Sequence, residues 1–254
     1  MDLTGRIYFF KASLFLFFLL FSEITLSQTV KPDTLFLSNA KTKARKIYTD
    51  GIANESHLFN GVQYREMDLH SQDQGHPYFL SDDWIEGSVF YDGQQYQNVY
   101  MLYDIIHDNV IIDHAYSHFD IELIKEKIKQ FSFSNHAFVR LVGDSLSNSP
   151  IHTGFYDLLY DGKVKVFAKR KKEINETIEA KLITITITEK DHYLVYKNGN
   201  YFSVRNKASV LKVFSDRKSA LRKSINKAGL NFKVNRDLAI AELARFYDEL
   251  EKQL

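Results

Sequence analysis

The chain has 254 residues, enough for one large domain or two small ones around a buried core. Its 44% hydrophobic and 26% charged residues, with a net charge of +1, place it among ordinary soluble globular proteins. With no cysteine it can form no disulfide, thiolate metal site, Cys nucleophile or lipid-bearing amino-terminal Cys.

Charge is unevenly spread. Residues 1–150 carry 12 Lys/Arg against 19 Asp/Glu, and residues 151–254 carry 21 against 13. This asymmetry suits an anionic partner, complementary halves of one fold, or a solvated basic surface. Twenty Phe and 15 Tyr favour pleated, half-buried surfaces.

Residues 1–27 read as a secretory signal peptide. Arg6 and Lys11 precede a ten-residue apolar run at 12–21, and Thr25-Leu26-Ser27 leaves small side chains before Gln28. A membrane span takes about 20 apolar residues, and Ser22-Glu23 interrupts this run well short of that. Export without disulfides fits a periplasmic or envelope location in a bacterium.

Residues 28–60 are polar, with a weak helical pattern after Ser38-Asn39. Residues 61–205 read as an antiparallel β-rich domain. Asp92-Gly93 predicts a two-residue hairpin turn that pairs Val89 with Tyr96 and Phe90 with Gln95. A further run follows His107-Asp108-Asn109, and Phe119, Ile121 and Leu123 alternate. Ser134-Asn135-His136 sits between two more apolar runs.

Asp161-Gly162 predicts a second two-residue turn, with Leu159 opposite Val164 and Leu158 opposite Lys165. The charged stretch 169–180 reads as a connector. Residues 182–188 alternate isoleucine with threonine, as in a half-exposed strand. Asn198-Gly199 predicts a hairpin pairing Tyr196 with Tyr201 and Val195 with Phe202.

From residue 206 the period changes to that of helices. One short helix covers 208–214. Asp216 is expected to cap a second, with Leu221, Ile225 and Ala228 inward and Gly229 ending it. Asn235 or Asp237 is expected to cap a third, whose inward stripe holds Ala239, Leu243, Phe246, Leu250 and Leu254. Strands followed by helices predict an α+β fold, an antiparallel meander sheet or partly closed barrel with a three-helix carboxy-terminal unit packed on it.

The stretches HPYFLSDDWIEGSVFYDGQQYQNVYMLYD (76–104), TGFYDLLYDGKVKV (153–166) and YLVYKNGNYFSV (193–204), with the helical tail, resemble a group of uncharacterised exported proteins from Bacteroidetes. The likeness spans most of the chain beyond the leader. It implies export and brings no activity with it.

Several constellations bear on chemistry. VGDSLSNS (142–149) resembles the nucleophile block of GDSL lipases and esterases, a likeness that implies Ser145 as nucleophile. Acyl transfer also needs a base and oxyanion donors. The family's later Gly-x-Asn-Asp and Asp-x-x-His blocks do not follow Ser145, and its alternating β/α layout is missing. A polar loop between strands accounts for the same residues.

Asp113, His114, His118 and Asp120 form the densest set of candidate metal ligands. On a strand His114 and His118 stand about 13 Å apart, too far for one ion, so turn polarity is the default. Neither phosphate-binding glycine motif occurs, no cofactor is expected, and export disfavours a nucleic-acid partner. Arg217, Lys218, Arg222, Lys223 and Lys227 lie opposite the second helix's apolar stripe and suit an anionic envelope surface or plain solvation. The expected function is a non-enzymatic binding or structural role in the envelope. Strands apolar on both faces leave room for a carrier of apolar ligands.

Overall fold

A computed structural model describes residues 57–70, 73–114, 119–144, 149–179 and 182–252, together with Phe36, Asn39, Ala40, Lys41, Lys43 and Ala44. Contacts divide the chain into residues 1–52 and 53–254. In the first unit those six residues are helical. The expected leader and its cleavage point lie outside the described residues.

The second unit is α+β. Its strands are β1 (Val62–Gln63), β2 (Ile85–Tyr91), β3 (Gln94–Asp104), β4 (Asn109–Ile112), β5 (Ile121–Glu122), β6 (Ile128–Phe133) and β7 (His136–Leu141). These are followed by β8 (Gly154–Asp161), β9 (Lys165–Lys169), β10 (Lys172–Glu179), β11 (Leu182–Glu189), β12 (His192–Lys197) and β13 (Asn200–Val204). Helices α1 (Lys207–Val213), α2 (Lys218–Ala228) and α3 (Arg236–Glu251) close the described chain. Eleven strands form one open sheet in the order β1-β5-β4-β3-β2-β6-β7-β8-β9-β12-β13, antiparallel throughout, while β10 and β11 form a separate ribbon.

Three hairpins have two-residue turns with both central residues at positive φ: Asp92-Gly93, Ser134-Asn135 and Asn198-Gly199. Such turns match the right-handed twist of the strands they join. They set Val89 against Tyr96 and Val195 against Phe202, the expected registers. His136 is thereby the first residue of β7 rather than part of the turn. In β2, a side chain on Gly87 would collide with the Ser132 carbonyl, and Asn98 at φ 56° forms a bulge opposite that close approach.

Asp161-Gly162 departs from expectation. Leu158 pairs with Phe167 and Asp161 with Lys165, with a bulge between Leu158 and Tyr160. The cause is Val164, whose side chain turns into the core while its N–H reaches Asp248 on α3 at 3.3 Å. The stretch 169–180 is expected to be a connector, but Lys172–Glu179 of it forms β10, which pairs with β11 over eight residues. Among the helices, Asp216 does not cap α2. It lies in a 3-10 turn and binds Lys197 and Tyr247 instead. Asn235 caps α3 through Leu238 N–H at 2.9 Å, Gly229 ends α2 at φ 63°, and Ala228 is exposed.

One face of the sheet holds two cores side by side. The first contains Met101, Tyr103, Phe131, Phe138 and Phe155. Tyr103 and Phe155 lie four strands apart in the sheet, yet their rings are 6.2 Å apart, so the sheet curls and fills its own hollow. The second core joins Val166, Tyr193 and Val195 to Leu211, Phe214, Leu221, Ile240 and Leu243 of the helices. Burying each such side chain stabilises the fold by about 1.5–3 kcal/mol. The helices therefore cover one half of the sheet and the curl covers the other.

Candidate functional site

Alternation in β3 sends Met101 and Tyr103 inward and Leu102 outward, and in β4 sends Ile111 outward beside it. Those outer residues would be bare but for the chain before β2, which lays Tyr64 and Tyr78 over them. Tyr64 N–H bonds the Asp120 carbonyl at 2.9 Å and Phe79 N–H bonds the Tyr103 carbonyl at 2.8 Å, fixing both passes. Leu80 then adopts a left-handed conformation at φ 65°, uncommon for a side chain of its bulk. This bend sends Phe79 into the first core and turns Asp82 and Trp84 outward.

The result is a cleft of about 280 Å³. Its walls are aromatic: Tyr64, Tyr78, Trp84 and Phe119. Its polar groups are Gln63 and the carboxylates Glu66, Asp82 and Asp120, over Leu102. The Tyr78 hydroxyl lies 3.4 Å from both the Tyr64 hydroxyl and Glu66 Oε1, while Tyr64 reaches buried Asp104 at 3.5 Å. These contacts are long for O–H···O bonds, so the two phenols are only loosely committed.

Burial pushes the Tyr78 phenol up to about 12, helped by Glu66 and Asp104. Burial and the Tyr78 hydroxyl drive Tyr64 upward too. Both are neutral donors near neutral pH. Burial, then the charges of Asp113 and Glu66, raise the Asp120 carboxyl above its ordinary value. Among the described residues, none of Glu66, Asp82 and Asp120 makes an ion pair.

Below the cleft the charges are satisfied. Asp104, 1% exposed, accepts from Ile106 N–H at 2.8 Å, His107 N–H at 3.0 Å and His107 Nδ1 at 2.8 Å. Lys172, also buried, donates to the carbonyls of His76 at 2.9 Å and Tyr78 at 2.6 Å. Burial lowers its ammonium from the ordinary value, with Glu189 and Asp104 opposing. Lys172 thus clamps the backbone that carries Tyr78.

A second charged group lies between the two cores. Arg170 donates to Asp157 at 2.6 Å, Asp191 at 2.5 Å and Asp237 at 2.5 Å, and its guanidinium lies over the Phe79 ring. His136 Nδ1 is 2.7 Å from Asp157, and Tyr193 donates to Asp237 at 2.7 Å. A surface cleft of about 330 Å³ reaches His136, Asp157 and Asp237. A histidine oriented by an aspartate is half of a hydrolytic triad, but no serine of the neighbouring strands serves it. His136 pairs with Phe133 and shares its face, while Ser132 pairs with Ala137 and Ser88 on the opposite face. There the Ser88 and Ser132 hydroxyls bond each other at 3.0 Å in a shallow polar groove.

Set against family models, curated proteins and solved structures, the chain matches none of them.

The residues singled out from sequence are dispersed. Ser145 and His118 lie outside the described residues. The strand before Ser145, β7, is antiparallel to both neighbours, unlike the layout of GDSL enzymes. Asp113 is exposed, with its N–H on the Tyr100 carbonyl at 3.1 Å, and the His114 ring packs 4.3 Å from Phe59. Of the described members of that set, Asp120 lines the cleft. Among the described residues no group of three His, Asp or Glu is placed to hold a metal. In the basic set, Arg217 pairs with Glu251 at 3.0 Å, while Lys218, Arg222, Lys223 and Lys227 are exposed.

Sequence reasoning missed Tyr64, Glu66, Tyr78, Asp82 and Trp84. The available signal was the chain's sole tryptophan, set just after two acids and just before a strand.

Proposed function

We propose that this chain is a non-enzymatic binding module of the cell envelope, and that its ligand docks in the cleft walled by Trp84. The observation that carries this reading is the contrast between the two polar sites. Around Arg170 each carboxylate is ion-paired within the protein, whereas the cleft gathers aromatic residues and three carboxylates that make no ion pair among the described residues. Groups left unsatisfied beside apolar surface are the usual marks of a ligand site. The inner face, filled by the stacked rings of Phe131 and Phe138 4.7 Å apart, favours this cleft over an enclosed apolar cavity.

The sequence of residues 1–27 supports the envelope part of the proposal. Intact mass spectrometry of protein from the native envelope should find a chain beginning at or near Gln28; retention of residues 1–22 refutes it. The docking part has a built-in reporter, since Trp84 is the sole tryptophan. A bound ligand should shift its emission saturably, and a screen of small polar ligands that leaves the emission unchanged counts against the cleft.

A further inference from the structure

We propose that the cleft selects an alkylammonium cation, a compact positive head carrying methyl or methylene groups. This rests on the reading of the cleft as a ligand site and names the chemistry it takes. Glu66, Asp82 and Asp120 bring three negative charges to it, no Lys or Arg lines it, and none of the three acids pairs with a cation among the described residues. Buried Lys172 donates to backbone carbonyls below the cleft, with its charge also acting on Asp82. An anionic ligand would meet like charge from the three acids. A neutral apolar ligand would strip water from carboxylates without replacing it.

The aromatic walls separate an organic cation from a bare metal ion. Trp84 and Phe119 are the exposed aromatic residues of the cleft lining and Tyr64 is half-buried, and the electron-rich face of an aromatic ring attracts a cation within about 6 Å. A metal ion would keep its water and gain little from such rings, and the acids do not converge as a ligand set. A fully methylated ammonium head is weakly hydrated and uses both features, its methyl groups against the rings and its charge beside the acids. The volume of about 280 Å³ is at the small end for ligand pockets, right for such a head and too small for an oligosaccharide. Burial, then the charges of Asp113 and Glu66, raise the Asp120 carboxyl, and a cation beside it would favour its charged form.

The test uses the full chain at constant ionic strength, with Trp84 emission and calorimetry as readouts. The probes are choline, tetramethylammonium, 3,3-dimethylbutan-1-ol as the neutral counterpart of choline, and maltose. Choline and tetramethylammonium should bind saturably, and the neutral alcohol at least about tenfold more weakly. Asp82→Asn, at an exposed residue outside the core, should fold normally and weaken choline about tenfold; Asp120→Asn should do the same if its melting temperature is unchanged. Equal binding of choline and the neutral alcohol, or binding of maltose alone, overturns cation selection while leaving the cleft a ligand site. No saturable response to any probe overturns both.

Discussion

Replacing Arg170 with methionine should be among the most damaging single changes in the chain. Its side chain is 6% exposed and neutralises three carboxylates of unequal burial: Asp157 is 1% exposed, Asp191 18% and Asp237 34%. After Arg170→Met the latter two can turn to water, whereas Asp157 keeps only His136, at 2.7 Å. Stranding one member of a buried pair costs about 3–5 kcal/mol. For a domain of this size each kcal/mol lowers the melting temperature by about 2–4 °C, so a fall of about 6–20 °C is expected by calorimetry. Adding Asp157→Leu removes the stranded charge and should recover at least half of the loss, a strong departure from additivity. A single variant that melts within about 2 °C of the parent, or a double variant worse than the single one, would show that water already screens this network.

Two further outcomes follow from the same packing. Leu243, fully buried on α3 where it packs on β8 and β9, should cost about 3 kcal/mol or more when replaced by aspartate; an unchanged melting temperature means that the stripe faces something other than the sheet. Burial alone would raise the Asp237 carboxyl, but hydrogen bonds from Arg170 and Tyr193 outweigh it and hold the carboxyl below its ordinary value. A carboxyl lowered on folding adds stability above its unfolded value, about 3.9, and loses it as pH falls through the folded one. The stability gap between the parent and Asp237→Asn, read from urea midpoints, should therefore shrink from pH 6 to pH 3, and a constant gap refutes that role.

Much of the sheet was legible because its hairpins rest on local chemistry. Asp92-Gly93 and Asn198-Gly199 supply positive φ cheaply, and once the turn is placed the register follows. Asp161-Gly162 misled because its neighbour Val164 is drawn into the core by helices far along the chain. Strand β10 was hidden for the opposite reason. Nearly all of it is exposed, so there is no buried face to impress a period of two on Lys172–Glu179. The cleft was illegible because its walls come from residues 63–66, 78–84 and 119–120, brought together only when β5 lies between β1 and β4.

The position of Arg170 also bears on how such a chain can change over generations. Its three acids sit on β8, next to β12 and in the first turn of α3, so the helical unit and the sheet share one electrostatic lock. The Asp248 contact with Val164 N–H repeats the arrangement at the other end of α3. A foreign helical unit grafted after β13 would need an acid at both points, about three helical turns apart, before the sheet would accept it. Recombination at this apparent boundary should therefore be rare, and drift there should run through paired substitutions across it.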